Sequence, residues 1–255
     1  MRLVATIAAA TALAATPASY VQSKQRDDGG FGDAQTTAWA TLALVAARVD
    51  TGGAADFLAK QQSASATDVA LVAMARAAAG DRPDDLLPRL QAHRPGKLLN
   101  ATIWTMLALS QSREPVPRDH VAALLAAQHR SGGWSWLSGG APDSNDTAAA
   151  VQALRAAGVS GRPIQRAVAF LRRHQNADGG FELTLRRGSD APSTAWAIQA
   201  LLAARVEPGR AAFAYLQRLR RPDGSVRYSV RYDSTRLWTT AQIVPALARR
   251  PFPLR

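Results

Sequence analysis

The chain contains no cysteine. That excludes disulfides, thiolate zinc sites and cysteine nucleophiles together. After its first residues it has no apolar run of about 18 or more, so the mature chain carries no integral membrane segment. Lysine is scarce too: Lys24, Lys60 and Lys97 are the only ones, and arginine carries the formal charge of +12. The arginines are scattered singly, with LRR and RLRR as the densest runs, and no nucleic-acid motif accompanies them. This pattern points away from nucleic acid and toward a solvated basic surface or an anionic cell-surface partner. No G-x-S-x-G element or phosphate loop is present.

What the chain has in quantity is alanine and leucine. Hydrophobic residues make up 47% of it, and these two favour helix over sheet. The opening MRLVATIAAATALAATPASYVQ has one arginine, a run of small apolar residues and a Thr16-Pro17-Ala18 stretch suited to cleavage after Ala18. Residues 1–18 thus have the form of a signal peptide, which predicts an exported protein with one mature domain over residues 19–255.

The run TAWAIQAL at Thr194 recurs as TAWATLAL at Thr37, TDVALVAM at Thr67, TIWTMLAL at Thr102, TAAAVQAL at Thr147 and TAQIVPAL at Thr240. Alanine follows each threonine by six positions, and leucine or methionine by seven. A second element precedes most copies: FLRRHQNADGGF aligns with YVQSKQRDDGGF, LLAAQHRSGGW and YLQRLRRPDGSV, while FLAKQQ and RLQAHRPG are reduced forms. Each reads as an amphipathic helix ended by a glycine stop. Threonine spacings of 30, 35, 45, 47 and 46 residues then define six helix pairs. Gln25, Gln128 and Gln175 stand where their amides can hold the turn backbone.

QHRSGGW (Gln128, Gly132, Trp134) resembles the QW repeat of squalene and oxidosqualene cyclases, and QNADGGF and QRDDGGF are its phenylalanine forms. From Tyr20 onward the chain is similar to the prenyltransferase/squalene-oxidase repeat family. The resemblance implies an all-α fold, the closed α/α toroid, with the threonine-led helices as the inner ring and the QW-ended helices outside. It also implies a functional rim at the N-termini of the inner helices, where their dipoles converge.

On that rim, Asp33, Asp143 and Asp190 lie four residues before the register threonine. The string DSNDT, Asp143 to Thr147, resembles the DxDDT motif of class II terpene cyclases. In that motif the middle aspartate donates the proton, and here its place is taken by Asn145, whose amide cannot. The aspartates instead read as helix N-caps. Other chemistry of the resemblance lacks its residues. There is no cysteine for a prenyltransferase zinc or a thioester, and DDLLP at Asp84 lacks the distal acid of DDxxD. His93, His120, His129 and His174 form no HxxxH pair and read as surface residues, so no metal or cofactor is implied.

Three long insertions, WSWLSGGAPDSND, ELTLRRGSDAPS and VRYSVRYDSTRLW, precede the last three register threonines and should gather on one sector of the rim. Within the last, SVRYSVRYDS alternates as a short hairpin would. Ligand contacts are expected from Trp136, Asp143, Asn145, Asp190, Arg227, Tyr228, Arg231, Tyr232 and Trp238, with Arg186, Arg187 and Arg236 favouring an anionic group. Trp39, Trp104 and Trp196 share one register position and read as filler between the rings, or as a lining that stacks on a ligand. The leading expectation is an exported, non-catalytic toroid that binds a small molecule or a surface partner at this rim. A terpene cyclase-like or prenyltransferase-like enzyme using Asp143 and Asp146 competes with it, as does a structural module of a larger exported assembly.

Overall fold

A computed structural model describes residues 15–63 and 65–254. Its six inner helices are α2 (Ala34–Ala47), α4 (Ala66–Ala78), α6 (Leu99–Gln111), α8 (Ser144–Ala156), α10 (Ala191–Ala203) and α12 (Arg236–Leu247). Its outer helices are α1 (Pro17–Gln22), α3 (Ala54–Ala59), α5 (Leu87–Ala92), α7 (Arg118–Ala126), α9 (Arg162–Arg173) and α11 (Arg210–Arg218). Each inner helix packs on the next, and α12 packs on α2, so the ring closes. The fold is therefore the all-helical α/α toroid.

The division into rings follows from composition. Outer α9 is amphipathic, burying Ile164, Ala167, Phe170 and Leu171 while its arginines face outward. Inner α10 is apolar around its whole circumference and is buried from Ala191 to Leu201. Close packing of six such helices requires small residues at the crossings. The alanine six places after each threonine (Ala43, Ala73, Ala108, Ala153, Ala200 and Ala246) is fully buried in all six copies.

The glycine turns tie each pair to the next. Gly132 has φ +99°, and a Cβ there would lie 2.4 Å from the Arg166 carbonyl oxygen on α9. Only glycine permits both that conformation and that approach. Gln128 Nε2 donates to the carbonyls of Gly132 (2.8 Å) and Pro163 (2.9 Å), joining the turn to the start of α9. Gln25 does the same with Gly29 and Thr51. At the sixth turn Arg220 takes the glutamine's place and donates to the Ala15 carbonyl (3.0 Å), while Gly224 packs on Thr16.

The outer seam, where α1 packs on α12 and α2, thus includes residues expected in the leader. Residues 1–14 of the expected signal peptide lie outside the described residues, but Thr16 to Ala18 open α1. Thr16 and Ser19 form a reciprocal capping box, and Pro17 is buried. The domain therefore begins several residues before position 19.

The axis is filled. Trp39, Trp104 and Trp196 sit on α2, α6 and α10, which are not neighbours in the ring, yet their rings meet edge to face at 5.5–5.8 Å. They pack against one another at the centre, so neither filling between the rings nor a lining that stacks on a ligand describes them. Repeats one, three and five supply them; the matching positions are Val69, Ala149 and Gln242, and Gln242 Oε1 accepts from Trp196 Nε1 (2.9 Å). Phe252 closes the assembly from the C-terminal side, 6.3 Å from Trp39 and 6.0 Å from Trp196. Its N–H donates to Gln152 Oε1 (2.8 Å), and the Leu254 N–H donates to Gln111 Oε1 (2.6 Å).

Candidate functional site at the inner-helix N-terminal rim

The register threonine is a joint. In the fourth repeat the Trp134 N–H donates to Thr147 Oγ1 (2.9 Å), and that hydroxyl donates to the Asp143 carbonyl (2.5 Å). Phe181 and Thr194 repeat the arrangement, as do Val226 and Thr240, while Phe31 donates to Thr37. One hydroxyl thereby satisfies the turn and the first helical turn together. The aspartates are N-caps: Asp33, Asp143 and Asp190 accept from the N–H three residues on, at 2.7–2.8 Å.

Each insertion then reaches back over the preceding repeat. The carbonyls of Trp136, Leu183 and Tyr228, two residues past the turn aromatic or its equivalent, accept from the N–H groups of Asn100, Ser144 and Ala191 at 2.7–3.2 Å. These loops cap α6, α8 and α10, so all three lie side by side at one end of the toroid. The hairpin expected at SVRYSVRYDS does not form. Ser229 Oγ accepts from the Arg231 and Tyr232 N–H groups, and the segment is a turn.

Two clusters result. In the first, Asn100 Nδ2 of α6 donates to Asp146 Oδ1 (3.2 Å). Burial, then the charge of Asp143, push the Asp146 carboxyl up to about 7. A carboxyl that holds its proton near neutrality is a weak acid; it can donate a hydrogen bond but is unsuited to protonating an alkene. Asn145, at the motif's donor position, is itself half-buried beside it.

The second cluster is a cleft of about 550 Å³ between the loops of repeats five and six, where Asp190, Tyr228, Arg231 and Tyr232 meet Arg186 and Arg187. Asp190 is buried and its carboxyl is raised by that burial, against the Ser193 N–H and hydroxyl bonds and the Arg187 charge, which lower it. Burial, then the charge of Asp190, raise the Tyr228 phenol. Tyr215 and Asp178 complete the wall.

Of the residues expected here, Asp190, Tyr228, Arg231 and Tyr232 converge in the cleft, while Trp136, Asp143 and Asn145 belong to the adjacent sector. Two are placed elsewhere. Arg227 Nη2 is spent on the Val230 carbonyl (2.8 Å), bracing its own loop. Trp238 lies in the first turn of α12, packed against the core rather than in the loop. The histidines also differ from expectation: His129 is exposed, but His120 and His174 are buried and His93 is half-buried. His93 rests 5.4 Å from His120, and burial lowers its pKa. No group of three or more histidine, aspartate or glutamate side chains suited to a metal occurs among the described residues.

Asn100 was not singled out as a site residue, although it occupies the same register place as Asn145. The tail plug was missed as well, and its signal was present. A glutamine such as Gln152 within an otherwise wholly buried helix must find a partner.

No family model matches the chain, and no curated protein matches it. Solved structures do. A protein from Actinoplanes superposes with a TM-score of 0.67 at 20% identity, covering 91% of this chain and 99% of that one. The type II terpene cyclase MstE from Scytonema gives 0.68 at 16% identity, over 91% and 95%. The ent-copalyl diphosphate synthase from Streptomyces platensis gives 0.61 at 19% identity, over 85% of this chain and 50% of the synthase. The fold is that of the terpenoid cyclases and protein prenyltransferases.

Proposed function

We propose that this is an exported toroid that binds a small anionic molecule or a surface partner at its rim loops, and does not cyclise a polyprene within its axis. The observation that carries this reading is the packing of Trp39, Trp104, Trp196 and Phe252 against one another, which occupies the space a folded polyprene would need. Asn145 in the donor position supports it, since restoring proton transfer would require a different residue. The arginine- and tyrosine-lined cleft supplies what an anionic group needs: forked donors, aromatic walls and partial enclosure. Native mass spectrometry of the purified protein tests this directly. A co-purified small molecule retained by the wild type and lost from Arg231→Ala and Tyr232→Ala is the expected result. Retention in both variants, or the absence of any ligand together with obligate assembly into a larger complex, overturns it.

A second reading is favoured by Asp146. A carboxyl raised to about 7 beside a second carboxyl is an arrangement for proton transfer near neutral pH, and the terpene cyclases that share this fold are enzymes. On that reading Asp146 with Asp143 serves a substrate at the rim. Isoprenoid turnover by the wild type, abolished in Asp146→Asn, would establish it.

A further inference from the structure

The large apolar side chains left exposed among the described residues are Leu98, Trp136, Leu137, Leu185, Val230 and Tyr232. All six belong to the three rim loops or to the strap they pair with: Leu98 bridges to Leu137, Trp136 adjoins it, Leu185 tips the repeat-five loop, and Val230 and Tyr232 tip the repeat-six loop. Since those loops cap α6, α8 and α10, the six side chains emerge from one end of the toroid over one continuous sector. Trp136 is 57% exposed and Val230 66%, values that a soluble surface does not need from neighbouring loop tips.

Cations share these tips. Lys97, Arg186, Arg187 and Arg231 are exposed and make no ion pair. Asp178 is exposed at the cleft wall, its Oδ1 accepting from the Gly180 N–H and the Ser189 hydroxyl, and Asp143 and Asp146 are half-buried; the other acids of the sector are withdrawn or engaged. Glu182 is buried and accepts from the N–H groups of Arg186 and Gly188, Asp190 is buried as a cap, and Asp233 is held by Arg221 and Arg236. The sector therefore presents positive charge interleaved with apolar and aromatic tips. The opposite end of the ring differs. Arg48, Arg113, Arg205 and Arg249 are exposed there, at or just past the ends of inner helices, but among the described residues no exposed large apolar side chain accompanies them.

We propose that the rim of repeats four to six rests on an anionic lipid surface. The arginines would lie among the headgroups while Trp136, Leu137, Leu185 and Val230 enter the boundary with the acyl chains. Exposed arginine is found at both ends of this basic molecule, so charge alone does not single out one of them. Charge combined with apolar tips singles out one end, and a bilayer interface is the surface that rewards both together. The inference rests on the rim reading above and names the surface that the rim would meet. It places the arginine–tyrosine cleft against the membrane, open to a lipid headgroup.

Co-sedimentation of the purified chain with phosphatidylglycerol–phosphatidylcholine vesicles, compared with pure phosphatidylcholine, tests the proposal at low and high salt. Binding to the anionic vesicles that weakens with salt is expected. The combined variant Trp136→Ser, Leu137→Ser and Leu185→Ser touches no cleft residue and should lower the partition coefficient about tenfold. Arg186→Gln, Arg187→Gln and Arg231→Gln together should lower it about a hundredfold, at roughly 1 kcal/mol for each basic side chain near the surface. Arg48→Gln with Arg205→Gln, at the opposite end, should leave it within about twofold, apart from the general loss of charge.

Absence of vesicle binding, or binding indifferent to the three serine substitutions, overturns the proposal. So does a self-association of the wild type, seen by sedimentation velocity, that those substitutions abolish without changing vesicle binding. Titration with glycerol 1-phosphate separates this result from the cleft reading. If the soluble headgroup binds and Arg231→Ala abolishes that binding while vesicles are ignored, the cleft stands and the lipid surface falls.

Discussion

Thr147 shows how one hydroxyl can hold a repeat together. It accepts from the buried Trp134 N–H and donates to the Asp143 carbonyl, so its removal orphans a donor that water cannot reach. Thr147→Val keeps the shape and loses both bonds. We expect it to destabilise the domain by about 1–3 kcal/mol, measured by chemical denaturation. Asp146 yields a pH-dependent prediction. Its folded pKa of about 7 lies above the ordinary carboxylate value, so between about pH 4 and 7 the folded state holds a proton that the unfolded chain has released. Its favourable contribution is complete at low pH and is lost as pH rises to 7. Asp146→Asn should therefore be nearly neutral at about pH 4 and stabilising by about 1–3 kcal/mol at pH 8, visible as a growing difference in Tm. An equal effect at both pH values would show that Asp146 is ionised throughout.

At the level of helices and turns, much was legible before the structure. The threonine register, the buried alanines and the glycine turns each reflect a local requirement: a polar joint, a close helix crossing, a positive φ. These requirements are met by residue type, so they survive in the letters. The loops were less legible, because SVRYSVRYDS alternates like a strand but has no partner strand, and its polar groups close on Ser229 instead. Trp238 was misplaced because Asp233, Ser234 and Thr235 each offer a helix start, and the helix begins at Arg236 after a left-handed Thr235 whose side chain makes no cap.

The first helix carries a prediction of its own. Ala15 and Thr16 meet Arg220 and Gly224, so a chain beginning at Ser19 loses the cap and the Arg220 bond, while the α2–α12 contact that closes the inner ring is kept. It should be less stable than one beginning at Ala15 by about 2–3 kcal/mol, read from thermal denaturation. If the protein is exported, the intact mass of the mature form should place the cut before Ala15. Ala12-Leu13-Ala14 offers the small-residue pattern for it.

For the whole molecule, the repeat count predicted helix pairs and the resemblance implied a ring, but neither could say what the ring encloses. That depends on three tryptophans from non-adjacent repeats meeting at the axis, a long-range relation that no local pattern encodes. It depends also on a tail that returns to glutamines 100 and 143 residues away. The fold is shared with terpene cyclases, whereas the interior is occupied by the chain's own aromatic side chains. On the proposed reading, function lies outward, at the end where loops, arginines and exposed apolar tips coincide.

Asn145→Asp, assayed with a geranylgeranyl polyprene and analysed for cyclised product, tests that displacement most directly. It restores an acid at the motif's donor position without altering the axis. With Trp39, Trp104, Trp196 and Phe252 in place, neither the wild type nor the variant should form cyclic product. A cyclised terpenoid from either protein would require an axis open to substrate and would contradict the account.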